Sequence, residues 1–149
     1  MRIIGGRFKG KKILQPKNKQ TRPLKDLTKE SIFNILNHSN KFKISVENSI
    51  VLDLFSGVGS FGLECLSRGA RHVTFVENYS GVLSILKNNL NNLNISEKYE
   101  IIEEDLISNF PIKKIRQKFN IIFLDPPYKE KRLPNIIDDI FQEKILNKN

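Results

Sequence analysis

Residues 49–62 read SIVLDLFSGVGSFG, and the fold of the chain turns on this stretch. The near-continuous apolar run 49–55 suits a strand buried on both faces, as in a parallel sheet. The glycine-rich segment SGVGSFG follows it, and a helical stretch over 63–68 comes next. Gly57-Val58-Gly59-Ser60-Phe61-Gly62 fits G-x-G-x-x-G in the context that pattern requires, after a strand and before a helix. Glycines let the backbone turn sharply and approach a ligand without side-chain clash, while the helix start offers unpaired amides.

The same alternation continues outward. Residues 72–77 (HVTFVE) form a second strand, followed by a helix from about 80 to 94 with Val82, Leu83, Leu86, Leu90 and Leu93 on one face. A third strand over 99–103 leads to Asp105. A fourth, 119–124 (FNIIFL), runs straight into Asp125-Pro126-Pro127-Tyr128, with a helix from about 134 to 146 beyond it. Upstream, Asp26 and Thr28 offer caps for a helix carrying Ile32, Phe33, Ile35 and Leu36 and ending near Asn40. Strands alternating with helices predict an α/β fold, a Rossmann-like parallel sheet covered on both faces. The opening residues, with Gly5-Gly6 and Gly10 between short apolar pieces, predict a small β-hairpin closed by Pro16.

Two features at strand ends carry chemistry. Glu77 lies 20 residues beyond Gly57, where a carboxylate can accept hydrogen bonds from ribose hydroxyls, so the loop and the acid together indicate an adenosine cofactor. Asp105, at the end of the third strand, is the candidate acceptor for the adenine amine. A nicotinamide cofactor would leave Asp125 to Tyr128 unexplained, whereas a methyl donor accounts for them. An exocyclic base amine is a poor nucleophile because its lone pair is delocalised into the ring. The Asp125 carboxylate and the Pro126 carbonyl can each accept one N–H and aim the lone pair at a sulfonium methyl. Pro127 restricts Pro126 to an extended conformation, which fixes that carbonyl, and Tyr128 offers a face for the base to stack on. This chemistry calls for no metal. Asp53, Phe55, Gly57, Gly59, Glu77, Asp105, Leu106 and Asp125 form the candidate donor-binding set, and Asp125, Pro126 and Tyr128 the candidate catalytic set. Cys65 reads as a small buried residue rather than a nucleophile, and His38 and His72 as ordinary surface or strand-start residues.

Charge adds a partner. The chain has 149 residues with Lys+Arg 25 and Asp+Glu 16, a formal net charge of +9. Residues 1–25 hold nine basic residues and no acid, so the remaining 16 basic and 16 acidic residues cancel. Lysine richness by itself is weak, because Asn, Ile and Lys make up 54 of the 149 residues, the bias of an A/T-rich genome. An uncompensated basic run is different: it points to a polyanion, with Arg2, Arg7, Lys9, Lys11, Lys12 and Arg22 as candidate RNA contacts. The expected organisation is therefore a basic extension over 1–25 and a cofactor-binding core over 26–149. No run approaches the roughly 18 apolar residues of a membrane span, and a single cysteine excludes an internal disulfide and fits a reducing, cytoplasmic setting.

On these residues the chain resembles the bacterial small-subunit ribosomal RNA guanine-N2 methyltransferases. The resemblance runs from Met1-Arg2-Ile3-Ile4-Gly5-Gly6 through Thr21-Arg22-Pro23, Glu30-Ser31-Ile32-Phe33-Asn34, Asp53-Leu54-Phe55-Ser56-Gly57-x-Gly59 and Leu66-Ser67-Arg68-Gly69-Ala70 to Asp125-Pro126-Pro127-Tyr128. It implies S-adenosylmethionine as donor, a guanine N2 amine of small-subunit rRNA, free or in the small ribosomal subunit, as acceptor, and RNA contact by the basic hairpin. It also suggests that the segment from Arg22 to Glu30 folds over the donor's methionine end. Two departures stand out. Where the family tends to read R-P-T…R-V-R-E, this chain has Arg22-Pro23-Leu24 and Leu27-Thr28-Lys29-Glu30, an expected cost to donor affinity. The resemblance also implies a larger sheet than the four strands counted here. The expectation is a C-terminally truncated sheet with an exposed apolar face on its fourth strand, open to self-association through the uncovered edge. The alternatives are a catalytically impaired RNA-binding remnant and an adenine-N6 nucleic-acid methyltransferase.

Overall fold

The computed structural model describes residues 1–17, 24–38, 44–95, 98–108 and 114–147. Its elements in chain order are α1 (Asp26–His38), β1 (Ile50–Leu54), α2 (Ser60–Ser67), β2 (His72–Val76), α3 (Ser80–Asn92), β3 (Tyr99–Ile102), β4 (Ile121–Leu124) and α4 (Leu133–Gln142). The four strands make one sheet in the order β3-β2-β1-β4, with every pairing parallel. The chain builds outward from β1 to β3 on one side, then crosses to place β4 on the other. The strand order therefore reverses between β1 and β4, the point where open α/β sheets leave a crevice at their carboxyl ends.

The apolar run of β1 has a physical reason. Successive side chains alternate between faces, and both faces are covered. Val51 packs with Val73, Phe75, Leu63, Leu66, Leu86 and Leu90 on one side, while Leu52 and Leu54 pack with Val76, Ile102, Phe119, Ile136 and Ile140 on the other. Gly62 permits the closest of these contacts, since a Cβ there would stand 2.3 Å from the Phe75 ring. A three-ring stack, Phe33 on Phe61 at 5.2 Å and Phe61 on Phe123 at 3.9 Å, ties α1, α2 and β4 together. Among the described residues no helix is long and apolar enough to cross a membrane.

The opening residues are a turn clamped to the body. Their only ladder pairing is the antiparallel bridge of Arg2 with Lys12, so the expected hairpin is reduced to one bridge flanked by the bonds of Ile3 N–H to the Lys11 carbonyl and Ile13 N–H to the Met1 carbonyl. Tertiary contacts hold it instead. Ile3 and Ile13 are in the core, and the Glu64 carboxylate of α2 accepts the N–H groups of Ile4 at 2.9 Å and Gly5 at 2.7 Å. Gly6 adopts φ +73° with its α-carbon so close to α2 that a Cβ would lie 1.9 Å from the Ser67 carbonyl oxygen.

Glu64 is fully buried and so is Lys29, whose Nζ stands 3.7 Å from it. That ammonium also donates to the Arg2 carbonyl at 2.6 Å, and Arg68 Nε donates to Glu64 at 2.9 Å. Burial lowers the Lys29 pKa, opposed by the charges of Glu64 and Asp26. Lys29 thus serves as a clamp between α1, α2 and the opening turn, its ammonium committed to Glu64, Asp26 and the Arg2 carbonyl.

The fourth strand also differs from expectation. Its faces are partly covered: Ile121 is buried, while Phe123 under Phe61, and Ile122 and Leu124 against the α4 cluster, remain part-exposed. Its edge begins to pair beyond α4, where Leu146 bridges Phe119 in parallel, with Phe119 N–H to Ile145 and Asn147 N–H to Phe119. Helix boundaries shift slightly as well. α2 starts at Ser60 because the turn at Gly59 leads directly into helix, and α4 stops at Gln142, after which Lys144 takes φ +53°.

Candidate functional site

The carboxyl ends of all four strands open on one cleft of about 790 Å³, within the roughly 300–1,000 Å³ of small-molecule sites. Its wall is built from 55–58 after β1, 77–79 after β2, 104–107 after β3 and 125–128 after β4. Leu24, Lys25 and Thr28 close it from the start of α1.

β1 ends abruptly because Phe55 takes φ +59°, an unusual conformation for a bulky residue. The chain reverses through Gly57 (φ +54°) and Gly59 (φ +84°), and the turn is closed by Gly59 N–H to the Ser56 carbonyl at 2.8 Å. A Cβ on Gly57 would meet nothing within 4 Å, so that position leaves the backbone open to the cleft, whereas one on Gly59 would strike Leu86 at 2.4 Å. The two glycines thus have different reasons: approach at Gly57, packing at Gly59.

Glu77 latches this loop. Its carboxylate accepts Gly57 N–H at 2.8 Å on one oxygen, and Asn78 and Tyr79 N–H at 2.9 Å each on the other. A carboxylate has about four acceptor sites, so capacity for ribose hydroxyls remains. Asp53 is 1% exposed and accepts Gly62 N–H at 3.0 Å. Desolvation, reinforced by the charges of Asp125 and Glu77, pushes its pKa up to about 8, so Asp53 is protonated at neutral pH and binds the first turn of α2 instead of adding charge to the wall. Asp105 accepts Ile107 N–H at 2.8 Å, and this bond, with others from Ser108, holds its carboxyl below the usual range. Leu106 is buried beside it.

At the mouth, Asp125, Pro126, Pro127 and Tyr128 line the cleft, and the Tyr128 side chain is 99% exposed. Of the expected donor and catalytic residues, all but Gly59 line this one cleft; Gly59 packs against Leu86 behind it. The expected RNA contacts lie elsewhere: Arg2, Arg7, Lys9, Lys11 and Lys12 are all exposed on the opening turn, where Arg7 and Lys11 stack over the Phe8 ring. Arg22 lies outside the described residues. Cys65 is fully buried and its thiol is raised by burial, in keeping with a core residue.

Several lining residues carry no sequence signal. Tyr79 follows Glu77, Phe123 forms the floor by stacking on Phe61, and the buried Ser60 hydroxyl has no hydrogen-bond partner among the described residues. Lys25 is the one cation among the described lining residues, against the carboxylates of Glu77, Glu104, Asp105 and Asp125. An acidic wall of this kind suits a ligand bearing positive charge.

Comparison with known proteins places this arrangement. YlbH of Bacillus subtilis (strain 168) is 33% identical over 150 residues, covering 100% of this chain and 78% of its own length. The ribosomal RNA small subunit methyltransferase D of Haemophilus influenzae is 36% identical over 129 residues, covering 86% of this chain, and the chain spans 64% of its length. The solved structure of YhhF from Escherichia coli matches with a TM-score of 0.79 at 29% identity, over 99% of this chain and 75% of that one. The fold is accordingly the Rossmann-like α/β fold of methyltransferases. The family described as "Conserved hypothetical protein 95" matches residues 1–149, and the chain belongs to that family.

Proposed function

We propose that the protein transfers a methyl group from S-adenosylmethionine to the exocyclic N2 amine of a guanine in small-subunit ribosomal RNA, working in the cytoplasm. The observation that carries this reading is the meeting of Asp125 to Tyr128 with the glycine loop in one cleft. The donor fits the residues present: Gly57 leaves room for close approach, Glu77 and Asp105 stand at the ends of neighbouring strands for ribose and adenine, and the carboxylates suit a sulfonium and an ammonium. When bound, S-adenosylmethionine would supply an electrophilic methyl group, its methyl–sulfur bond breaking to leave S-adenosylhomocysteine.

The protein's part is positioning and charge. Asp125 and the Pro126 carbonyl accept the two N–H groups of the amine and draw its lone pair out of conjugation; Asp125 then takes the proton that the amine sheds as its new N–C bond forms. Tyr128 stacks on the base, and alignment of amine and methyl supplies much of the rate. Because Asp53 is neutral, Asp125 faces one less ionised neighbour. The exposed cations from Arg2 to Lys12 hold RNA phosphates, and Arg22 joins them in this reading.

The test is to mix the protein with labelled S-adenosylmethionine and unmodified small ribosomal subunits, then digest the RNA and identify the labelled nucleoside. N2-methylguanosine is the expected product. Label in N6-methyladenosine, or none in RNA, overturns the assignment.

A further inference from the structure

Asn89 sits on α3 at a junction of three segments. Its side chain is 3% exposed and fully engaged. Oδ1 accepts the Leu14 N–H at 2.8 Å, and Nδ2 donates to the Leu14 carbonyl at 3.2 Å and to the Val58 carbonyl at 3.1 Å. Two of these bonds satisfy both main-chain groups of Leu14, as a neighbouring strand would. The third grips the glycine loop from behind, since Val58 lines the cleft. Both amide donors are used, so the group cannot rotate without giving up bonds to both segments.

Leu14 ends the limb that carries Lys11 and Lys12. The other limb of the opening turn is held by Glu64 and Ser67 of α2, the helix that grows out of the glycine loop. The loop is thus gripped on one flank by a single side chain that also holds the basic turn, and on the other it runs into the helix that holds the turn's second limb.

We propose that Asn89 is a positioning residue that couples RNA engagement by the opening turn to donor binding at the glycine loop, so that each ligand raises the other's affinity. The proposal rests on the reading above that the basic turn binds RNA. RNA that immobilises residues 11–14 fixes Leu14, Leu14 fixes the Asn89 amide, and the amide fixes the Val58 carbonyl. A loop already ordered loses less freedom when the donor arrives. By linkage the donor strengthens RNA binding by the same factor.

The experiment is calorimetric titration of S-adenosylmethionine into the full chain, with and without saturating unmodified small-subunit rRNA transcript, for the wild type and Asn89→Ala. In the wild type, RNA should tighten donor binding by at least about fivefold; in Asn89→Ala that factor should fall toward one. A purely structural role would weaken both affinities without changing their ratio. Equal donor affinity with and without RNA in the wild type, or full coupling in the variant, overturns the proposal. Failure of the chain to bind RNA at all would instead sink the reading on which it rests. Hydrogen exchange on the wild type gives a second arm that needs no variant: RNA alone should slow amide exchange across 56–60, and unchanged exchange there counts against the coupling.

Discussion

Asp53 is the residue whose environment most changes its chemistry. Its folded pKa of about 8 lies above its ordinary 3.8, so the native state holds a proton that the unfolded chain releases. Its contribution to stability is therefore complete below about pH 4 and lost progressively as pH rises through 8. Unfolding in urea over that range should show stability falling with pH, and Asp53→Asn, which keeps an acceptor for Gly62 N–H, should flatten the slope; an unchanged slope would mean that Asp53 is ionised throughout. Asp125→Ala should cost about 10²- to 10³-fold in methyl transfer, as loss of one preorganised polar contact does, while calorimetry finds donor binding nearly unchanged. Loss of both together would contradict its assigned role. Glu64→Gln leaves the buried Lys29 ammonium with Asp26 as its remaining carboxylate partner, so the loss should fall below the roughly 3–5 kcal/mol of a buried pair broken outright, readable as a lower urea midpoint.

Among the elements, the glycine loop and the opening turn are the ones most sensitive to a single added methyl. Gly6→Ala would drive a Cβ into the Ser67 carbonyl, a backbone group that cannot yield, so the turn should lift from α2 and RNA affinity fall while donor affinity is affected less. Filter binding and calorimetry on the same preparation would decide it. The elements also show what a sequence can and cannot disclose. The strand and loop over 49–62, Glu77 and Asp125 to Tyr128 were legible because each sits at a fixed offset from a strand end, so residue type and local spacing suffice. Lys29, Glu64 and Asn89 were not, because their partners lie 27, 60 and 75 residues away and a pairing at such separation leaves no period to detect. Asn89 stands in a run of asparagines that composition alone would produce, and Lys29 read as a missing arginine. The partial cover of β4 went unseen for a related reason: local sequence does not reveal that α2 brings Phe61 over Phe123, with Phe33 of α1 stacked behind it.

At the scale of the whole molecule, the uneven charge becomes a division of surfaces. Exposed cations occupy the opening turn, while the ionisable groups among the described lining residues of the cleft are mainly carboxyls. RNA binding should weaken linearly in log[salt], with a slope of about −0.7 for each single-stranded phosphate contact. Lys11→Ala with Lys12→Ala should make that slope shallower by roughly 1.4, twice the single-contact value, and an unchanged slope would move the RNA surface elsewhere. The bare ring of Tyr128 has a practical consequence of its own. The chain contains no tryptophan and three tyrosines, of which Tyr79 and Tyr128 border the cleft. Ultraviolet emission from this protein is therefore tyrosine emission, much of it arising at the mouth of the cleft, and a nucleobase settling on Tyr128 should quench it without any attached dye. Comparison with Tyr128→Phe would isolate that signal and give a direct optical clock for base capture.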